Sequence, residues 1–365
     1  MNQTEIHISK SALLNNYAVM KKVSGQAVWP VVKSNAYGHG IESVLHCLSS
    51  LSPEYIIVQN MPEAERVHAI NSSKVLVLGT QDMDVYKSAD YSYITPVISS
   101  LNILKFFCEL GTPINFHLKI NTGMNRQGID IEDIELALSF LEEKGHMHLE
   151  GILTHFSSAD EQSDSMQKQE SLFSKAVDQI TTVYDVSWIH ANNSAGALTG
   201  NLSICNAVRG GIALYGLNPL SKETHEQHPQ YKELQPVLSL HSTITQTRTI
   251  KAGQTIGYGD TFIAQSNMRI GVLPLGYYEG VPRSLSNNWN CVDIKGVACP
   301  IVGRVSMNMI VVDLTNSDAQ KSGVITIFSS DPHSISSIKK AASAADTISY
   351  EITTRLQPDV PRIII

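Results

Sequence analysis

The sequence predicts an α/β protein in which an N-terminal (β/α)8 TIM barrel is followed by a mostly β C-terminal domain. Eight short β-rich runs alternate with helical patterns through the first two-thirds of the chain. A polar segment at 219–236 then indicates a surface linker, and the runs after it alternate and are separated by glycines. We expect the barrel at 9–235 and the β-rich domain at 236–365. An open doubly wound sheet is the alternative for the first domain.

The chain opens on a helical pattern at 9–23, where Leu13, Tyr17, Met20 and Val23 share one face. A second helical pattern, with apolar residues on one face, begins at Ile131, and we expect this helix to end at Gly145. The runs predicted as barrel strands lie at 28–32, 55–58, 75–78, 93–97, 116–120, 151–154, 187–190 and 206–209. The later strands are predicted at 238–244, 268–275, 291–294, 310–314 and 324–328.

Composition excludes several functional classes. The 365 residues carry a formal net charge of -7 and no run of Lys or Arg, which argues against a nucleic-acid binder. The five cysteines are scattered, with no pair at metal-ligand spacing, so we expect free thiols in a reducing compartment and no metal. No secretory signal or membrane-spanning run is seen. We therefore expect a soluble, cytoplasmic protein.

Residues 31–40, VVKSNAYGHG, are the most informative segment. Lys33 follows the first predicted barrel strand, and barrel enzymes build their active sites at that end of the strands. Burial lowers the pKa of a lysine, so its amine can act as a base or form a Schiff base with a carbonyl cofactor. On strand position alone, a solvent-exposed lysine at a strand end is the alternative interpretation.

This segment closely resembles the lysine motif of the alanine racemase family, and further motifs in the same order extend the resemblance over nearly the whole chain. The resemblance implies a barrel followed by a β domain, with the N-terminal strand in 1–8 joining the β domain. It implies a cofactor, pyridoxal 5'-phosphate (PLP), bound covalently to Lys33. It also implies a homodimer whose active sites are shared between subunits.

The resemblance assigns further residues to the cofactor. Arg209 matches an arginine that donates to the pyridine nitrogen, His155 matches a histidine beside the cofactor, and His190 matches a histidine near Arg209. The residues expected around the phosphate are Tyr37, Asn193, Ser194, Gly211, Ile212 and Tyr350. Taken singly, each of these residues also has an ordinary structural interpretation.

Racemisation needs one base on each face of a planar intermediate. By resemblance Lys33 serves one face, and Tyr258 of the opposite subunit serves the other. Arg126 and Met307 match residues that contact the substrate carboxylate, and Tyr277 matches a tyrosine at the substrate entrance. Lys119 matches a position that is carbamylated in some relatives, where the modified lysine orients the arginine.

Three positions depart from the usual family pattern. Asn121 and Asn308 stand where aspartates are usual, and Glu279 replaces an aspartate. These changes leave the substrate open between alanine, serine and larger or basic amino acids. Tyr258 and Tyr350 are both retained and favour a small substrate.

The predicted function is therefore racemisation of L-alanine and D-alanine by two bases, which supplies D-alanine for peptidoglycan. A racemase of serine or of broad specificity is the alternative, followed by a PLP amino-acid decarboxylase. A PLP-carrier protein and a metal-dependent barrel hydrolase fit the motifs less well. The expected partners are a small amino acid and a second copy of the chain, with no nucleic acid and no membrane.

Overall fold

A computed structural model describes residues 3–142, 144–161, 164–199 and 203–365. The chain forms two compact units. One contains residues 14–34 and 48–234; the other contains the residues up to Leu13, residues 35–47 and residues 235–365. The lysine motif is thus divided, with Lys33 and Ser34 in the first unit and the residues from Asn35 onward in the second.

The first unit is the predicted barrel, in which neighbouring strands are parallel. Its strands are Ala27–Pro30, Tyr55–Val58, Lys74–Val77, Ile94–Ile98, Ile114–Asn121, Met147–Leu153, Trp188–His190 and Ala207–Gly210. All eight predicted strands are confirmed, with shifts of a few residues at their ends. The strand Tyr55–Val58 is buried along its whole length, as expected of a parallel sheet covered on both faces.

The ring of strands closes through a few specific contacts. The first strand pairs with the eighth, and it joins the second through a bridge between Val31 and Ile57. The backbone N–H of Val32 also donates to the carbonyl oxygen of Ile57 at 2.8 Å. The seventh and eighth strands are joined by the bond from the N–H of Asn206 to the oxygen of Ile189, at 3.0 Å. The first unit is therefore a closed barrel, as predicted, and not the alternative open sheet.

Local sequence explains the barrel helices. Leu101–Leu110 begins after Ser100, whose hydroxyl accepts from the N–H of Ile103, and ends at Gly111 in the left-handed region. The helix predicted to close at Gly145 ends earlier, at Leu141, because Glu142 already has an extended conformation. The other α-helices of the first unit are Met61–His68, Met83–Ser88, Ile134–Leu141, Asp164–Thr181, Ser194–Thr199 and Lys222–Gln227, the last of which lies in the predicted linker. Most of Lys10–Ser24 also belongs to the first unit, whereas Ile41–Cys47 belongs to the second.

The second unit is mostly antiparallel β-structure. Its six-stranded sheet has the order Ala298–Pro300, Asn290–Asp293, Val324–Phe328, Leu238–Thr243, Thr4–Ile8 and Arg362–Ile364. The N-terminal strand joins this sheet as expected, with Ile6 and Ile8 fully buried. A second sheet contains Gln246–Ile250, Met268–Leu273 and Ile310–Asp313, and Thr255–Ile256 pairs with Phe262–Ile263. Helices Ile338–Ala344 and Ser349–Thr354 follow.

The turn after Lys33 is left-handed. Ser34, Asn35, Ala36 and Tyr37 have φ angles of 55°, 53°, 53° and 54°. This conformation costs an L-residue roughly 1–2 kcal/mol. A carboxylate oxygen of Glu63 accepts from the N–H of Ser34 at 2.6 Å and helps to hold the start of the turn.

Within the described ranges, no helix combines the length and apolar character needed to cross a membrane.

Candidate active site

Arg209 is the centre of the barrel site. It lies in the eighth strand, is only 4% exposed, and makes five hydrogen bonds through its two terminal nitrogens. Nη1 donates to Nδ1 and to the backbone oxygen of His190, at 2.8 and 2.9 Å. Nη2 donates to the oxygens of Thr154 and Ala191, both at 2.8 Å, and to Nδ1 of His155 at 3.2 Å. All five acceptors are neutral, and burial lowers the pKa of Arg209 to about 10.

The arginine fixes the tautomers of the histidines around it. Because a guanidinium only donates, Nδ1 of His190 and Nδ1 of His155 must accept, and each ring carries its proton on Nε2. Nε2 of His190 therefore donates to Nδ1 of His117 at 2.9 Å. Burial lowers the pKa of His117 to about 3 and the pKa values of His155 and His190 well below 6.5. The three rings are neutral at physiological pH.

Lys33 lies in a cluster of cationic groups. Burial is the largest cause that lowers the pKa of Lys33, and the guanidinium groups of Arg126 and Arg209 lower it further. The carboxylate of Glu63 raises this pKa. Lys119 is 9% exposed, and burial together with Arg209, Arg126 and Lys33 lowers its pKa to about 8. Its Nζ donates to Oε1 of Gln127 at 3.3 Å. Both lysines therefore have a larger fraction of neutral amine than exposed lysines have.

The two Gly/Ser turns predicted at the phosphate lie against each other. The hydroxyl oxygen of Ser194 accepts from the N–H of Gly211 at 3.0 Å and from the N–H of Ala213 at 3.1 Å. Oδ1 of Asn193 accepts from the N–H of Gly196, at 3.0 Å. Ile212 is buried beside them. Because Ser194 accepts from two backbone donors, its own O–H remains a donor for a ligand.

Tyr37 and Tyr350, the other predicted phosphate ligands, lie in the second unit. Their ring centroids are 6.1 Å apart, and burial raises the pKa of Tyr37 to about 12. Tyr37 is therefore a neutral hydroxyl that can donate a hydrogen bond.

The remaining predicted residues are exposed on the second unit. Tyr258 is 72% exposed, Met307 55% and Tyr277 44%. The loops that carry Tyr277 and Met307 are joined, since the N–H of Tyr277 donates to the oxygen of Ser306 at 3.0 Å. Gly276 is required there, because a side chain would collide with the carbonyl oxygens of Ser306 and Met307.

Two of the unusual residues form a pair on these same loops. Nδ2 of Asn308 donates to Oε1 of Glu279 at 2.8 Å, and Oε2 of Glu279 accepts from the N–H of Gly276 at 2.6 Å. An aspartate at position 308 has no donor for Glu279. The asparagine therefore complements the longer carboxylate at position 279.

The sequence did not single out His117 or Glu63. His117 lies inside a barrel strand, and its packing against Gly151 follows only from the register of two strands. Glu63 lies on a helix far from Lys33 in the sequence, and nothing in the local pattern indicates that its carboxylate accepts from the N–H of Ser34. The described residues contain no group of three or more His, Cys, Asp or Glu side chains that could hold a metal ion.

Family models match both parts of the chain. The model of the alanine racemase N-terminal domain matches residues 8–219, and that of the alanine racemase C-terminal domain matches residues 237–364. An alanine racemase from Staphylococcus carnosus is 34% identical over 370 residues, covering 99% of this chain and 94% of the relative.

Solved structures of alanine racemases are similar to this chain over its whole length. The alanine racemase from Bacillus anthracis with bound L-Ala-P has a TM-score of 0.90 and 28% identity, covering 100% of this chain and 95% of that one. The alanine racemase from Bartonella henselae with covalently bound pyridoxal phosphate has a TM-score of 0.88 and 25% identity, with both chains covered completely. This chain therefore belongs to the alanine racemase family.

Proposed function

We propose that this protein is a PLP-dependent racemase that interconverts L-alanine and D-alanine. The observation that carries the proposal is the position of Lys33, an amine of lowered pKa, in one cationic cluster with Lys119, Arg126 and Arg209. Such a cluster suits ligands that bring negative charge, and both PLP and an amino acid do so. The relatives named above, one with pyridoxal phosphate and one with L-Ala-P, support the same choice.

The residues present fit the cofactor. When bound, PLP supplies an aldehyde that captures the amino group of the substrate and a ring that withdraws electrons from the Cα–H bond. We assign Lys33 to the aldehyde and Nε–H of Arg209 to the ring nitrogen, since the five hydrogen bonds of Arg209 described above use only its two terminal nitrogens. An arginine does not readily surrender its proton, so the ring nitrogen stays largely unprotonated. For the phosphate we propose the hydroxyls and backbone N–H groups of Tyr37, Asn193, Ser194, Gly211, Ile212 and Tyr350.

We propose two proton-handling groups. The lowered pKa of Lys33 makes its Nζ a base for one face of the substrate. The phenolic oxygen of Tyr258 serves the other face, and Nε2–H of His155 is the donor that holds this oxygen in place. His155 is suited to the role because Arg209 already occupies its Nδ1.

The second base is proposed to come from the partner subunit of a homodimer. Tyr258, Tyr277 and Met307 are large and exposed on one unit, together with Tyr278 and Met309. Exposed apolar side chains in such number are typical of a protein–protein interface. A partner that covers these loops brings Tyr258 and Met307 to the neighbouring active site.

We assign the substrate carboxylate to the guanidinium of Arg126 and to the backbone N–H of Met307, and the substrate entrance to Tyr277. We also propose that Lys119 is carbamylated, because a pKa of about 8 leaves a neutral fraction of the amine that can add CO2. The resulting anion pairs with Arg126 and orients it.

We propose that the enzyme works in the cytoplasm, where D-alanine enters peptidoglycan synthesis. We also propose that its domains are 9–235 and 236–365, with strand residues in 1–8 added to the second.

Reduction of the purified protein with borohydride, followed by peptide mapping, tests the cofactor. We expect a pyridoxyl group on Lys33. A panel of L-amino acids, assayed for the D-isomer and for CO2, then tests the substrate. We expect the highest kcat/KM with alanine and no CO2. An unmodified Lys33, a higher kcat/KM with serine, lysine or arginine, or a decarboxylated product contradicts the proposal.

Mixed dimers test the shared site. We co-express Lys33→Ala and Tyr258→Ala chains, each inactive as a homodimer. Their heterodimer has one site that lacks both groups and one that has both, so activity should return. Mixing the two purified homodimers under conditions that prevent subunit exchange is the control. If the heterodimer stays inactive, Tyr258 does not act across the interface.

A further inference from the structure

The loop that carries Arg126, residues 122–128, returns to the strand it leaves. The fifth barrel strand ends at Asn121, and the short strand Ile129–Asp130 pairs in parallel with its last two residues. Gly128 lies so close to the backbone of Ile120 and Asn121 that a side chain there has no room. The loop is therefore closed at its base, and whatever fixes the base fixes the position of Arg126.

The side chain of Asn121 fills this base with four hydrogen bonds. Its Oδ1 accepts from the N–H of Gly123 at 3.2 Å and from the N–H of Asn125 at 3.0 Å. Its Nδ2 donates to Oδ1 of Asn125 at 3.0 Å and to Oδ1 of Asp130 at 2.7 Å. One amide thus joins the beginning and the middle of the loop to the short strand that follows it.

Only an amide can make this set of bonds. A carboxylate at position 121 can accept from the two backbone N–H groups, but it cannot donate to Asn125 or Asp130. It also places a second negative charge at hydrogen-bond distance from the carboxylate of Asp130, and like charges so close repel strongly. The asparagine at position 121 is therefore matched to the carboxylate of Asp130.

The backbone of the loop sets where the side chain of Arg126 begins. It is exposed and makes no hydrogen bond or ion pair with another residue of the described ranges. Its charge nevertheless lowers the pKa values of Lys33, Lys119 and His155.

We propose that Asn121 and Asp130 are positioning residues that hold the Arg126 loop in the geometry that binds the carboxylate of alanine. The amide–carboxylate pair, and not either residue alone, is the functional unit. This inference rests on the proposed role of Arg126 in the racemase.

Swapping the two side chains by mutation tests the pair in the holoenzyme. The variants are Asn121→Asp, Asp130→Asn and the double variant, and Glu132→Gln removes a neighbouring exposed carboxylate as a control. Hydrogen exchange of the peptide that contains 122–128 and the KM and kcat for L-alanine are measured for each.

We expect Asn121→Asp to speed exchange of the loop and to raise KM about tenfold with kcat changed less than about threefold, because substrate binding is lost and not the chemistry. In the double variant, the carboxylate at position 121 accepts from the amide at position 130 and, once the side-chain amide of Asn125 has turned over, from that amide as well. Both readouts should therefore return to within about threefold of the wild type. Glu132→Gln should change neither. If Asn121→Asp does not fold, Asn121→Ala replaces it: that variant must speed loop exchange and raise KM.

The pair is refuted if the double variant is no better than Asn121→Asp, or if Asn121→Asp leaves loop exchange unchanged. Faster exchange with an unchanged KM refutes the positioning role. If the wild type does not racemise alanine, the proposed function fails, while loop exchange still decides whether the pair exists.

Discussion

Acid should destabilise the barrel through its buried histidines. His117 and His190 are fully buried, and burial holds their pKa values far below the ordinary 6.5, to about 3 for His117. Their folded forms stay neutral as the pH falls, whereas the unfolded chain takes up protons below about pH 6.5. Their contribution to stability is therefore complete above about pH 6.5 and declines as the pH falls toward the folded pKa.

The size of the loss follows from the difference between the pH of the measurement and the ordinary histidine pKa of about 6.5. One pKa unit corresponds to about 1.4 kcal/mol, so at about pH 5 His117, whose folded pKa is about 3, costs about 2 kcal/mol, and His190 adds a loss in the same direction. Small domains have roughly 5–15 kcal/mol of stability in all.

Urea unfolding followed by circular dichroism, at fixed protein concentration and at about pH 7.5 and 5, measures the loss. His117→Gln keeps an acceptor for His190 but cannot take up a proton, so we expect it to lose about 2 kcal/mol less than the wild type. His148→Gln, which changes an exposed histidine on a neighbouring strand, is the control. A wild-type loss below about 1 kcal/mol, or the same loss in His117→Gln, refutes the reasoning.

Three further predictions concern single positions. With 13C-labelled CO2, we expect a carbamate NMR signal that Lys119→Arg abolishes, because the pKa of Lys119 is about 8. Ser34→Gly should not destabilise the protein, whereas Ser34→Val should lower its free energy of unfolding by about 1–2 kcal/mol, since φ is 55°; thermal denaturation measures both. Gly276→Ala should separate the loops that carry Tyr277 and Met307 and raise KM for alanine by about tenfold or more, measured by steady-state kinetics.

Much of the fold could be predicted because it follows local rules. The barrel strands are short, buried and rich in β-branched residues, and the helices between them carry periodic stripes and capping residues. Where a boundary depends on backbone conformation, the prediction was less exact: the helix expected to reach Gly145 ends at Leu141. The strands Ala298–Pro300 and Thr255–Ile256 were missed because each is too short to show a period of two. The strand Gln246–Ile250 was missed because its residues are polar and mostly exposed and show no apolar alternation.

The site was predictable only in part, for a different reason. Resemblance supplied the residues that we propose to contact ligands, such as Lys33 and Arg209. It did not supply the residues that hold them, because Glu63, His117 and Asp130 act through contacts made across strands and loops. The left-handed turn was also not foreseen, since non-glycine residues rarely adopt that conformation in succession.

The shortage of acidic partners around Arg209 links the stability of the barrel to its ligands. A buried cation that meets only neutral acceptors keeps an uncompensated charge, and both it and Arg126 repel the charged form of Lys33. Bound anions act as the missing counter-ions, so the folded barrel gains free energy in proportion to the logarithm of their concentration. Growth conditions that limit the vitamin B6 supply should therefore reduce the amount of folded protein as well as its activity.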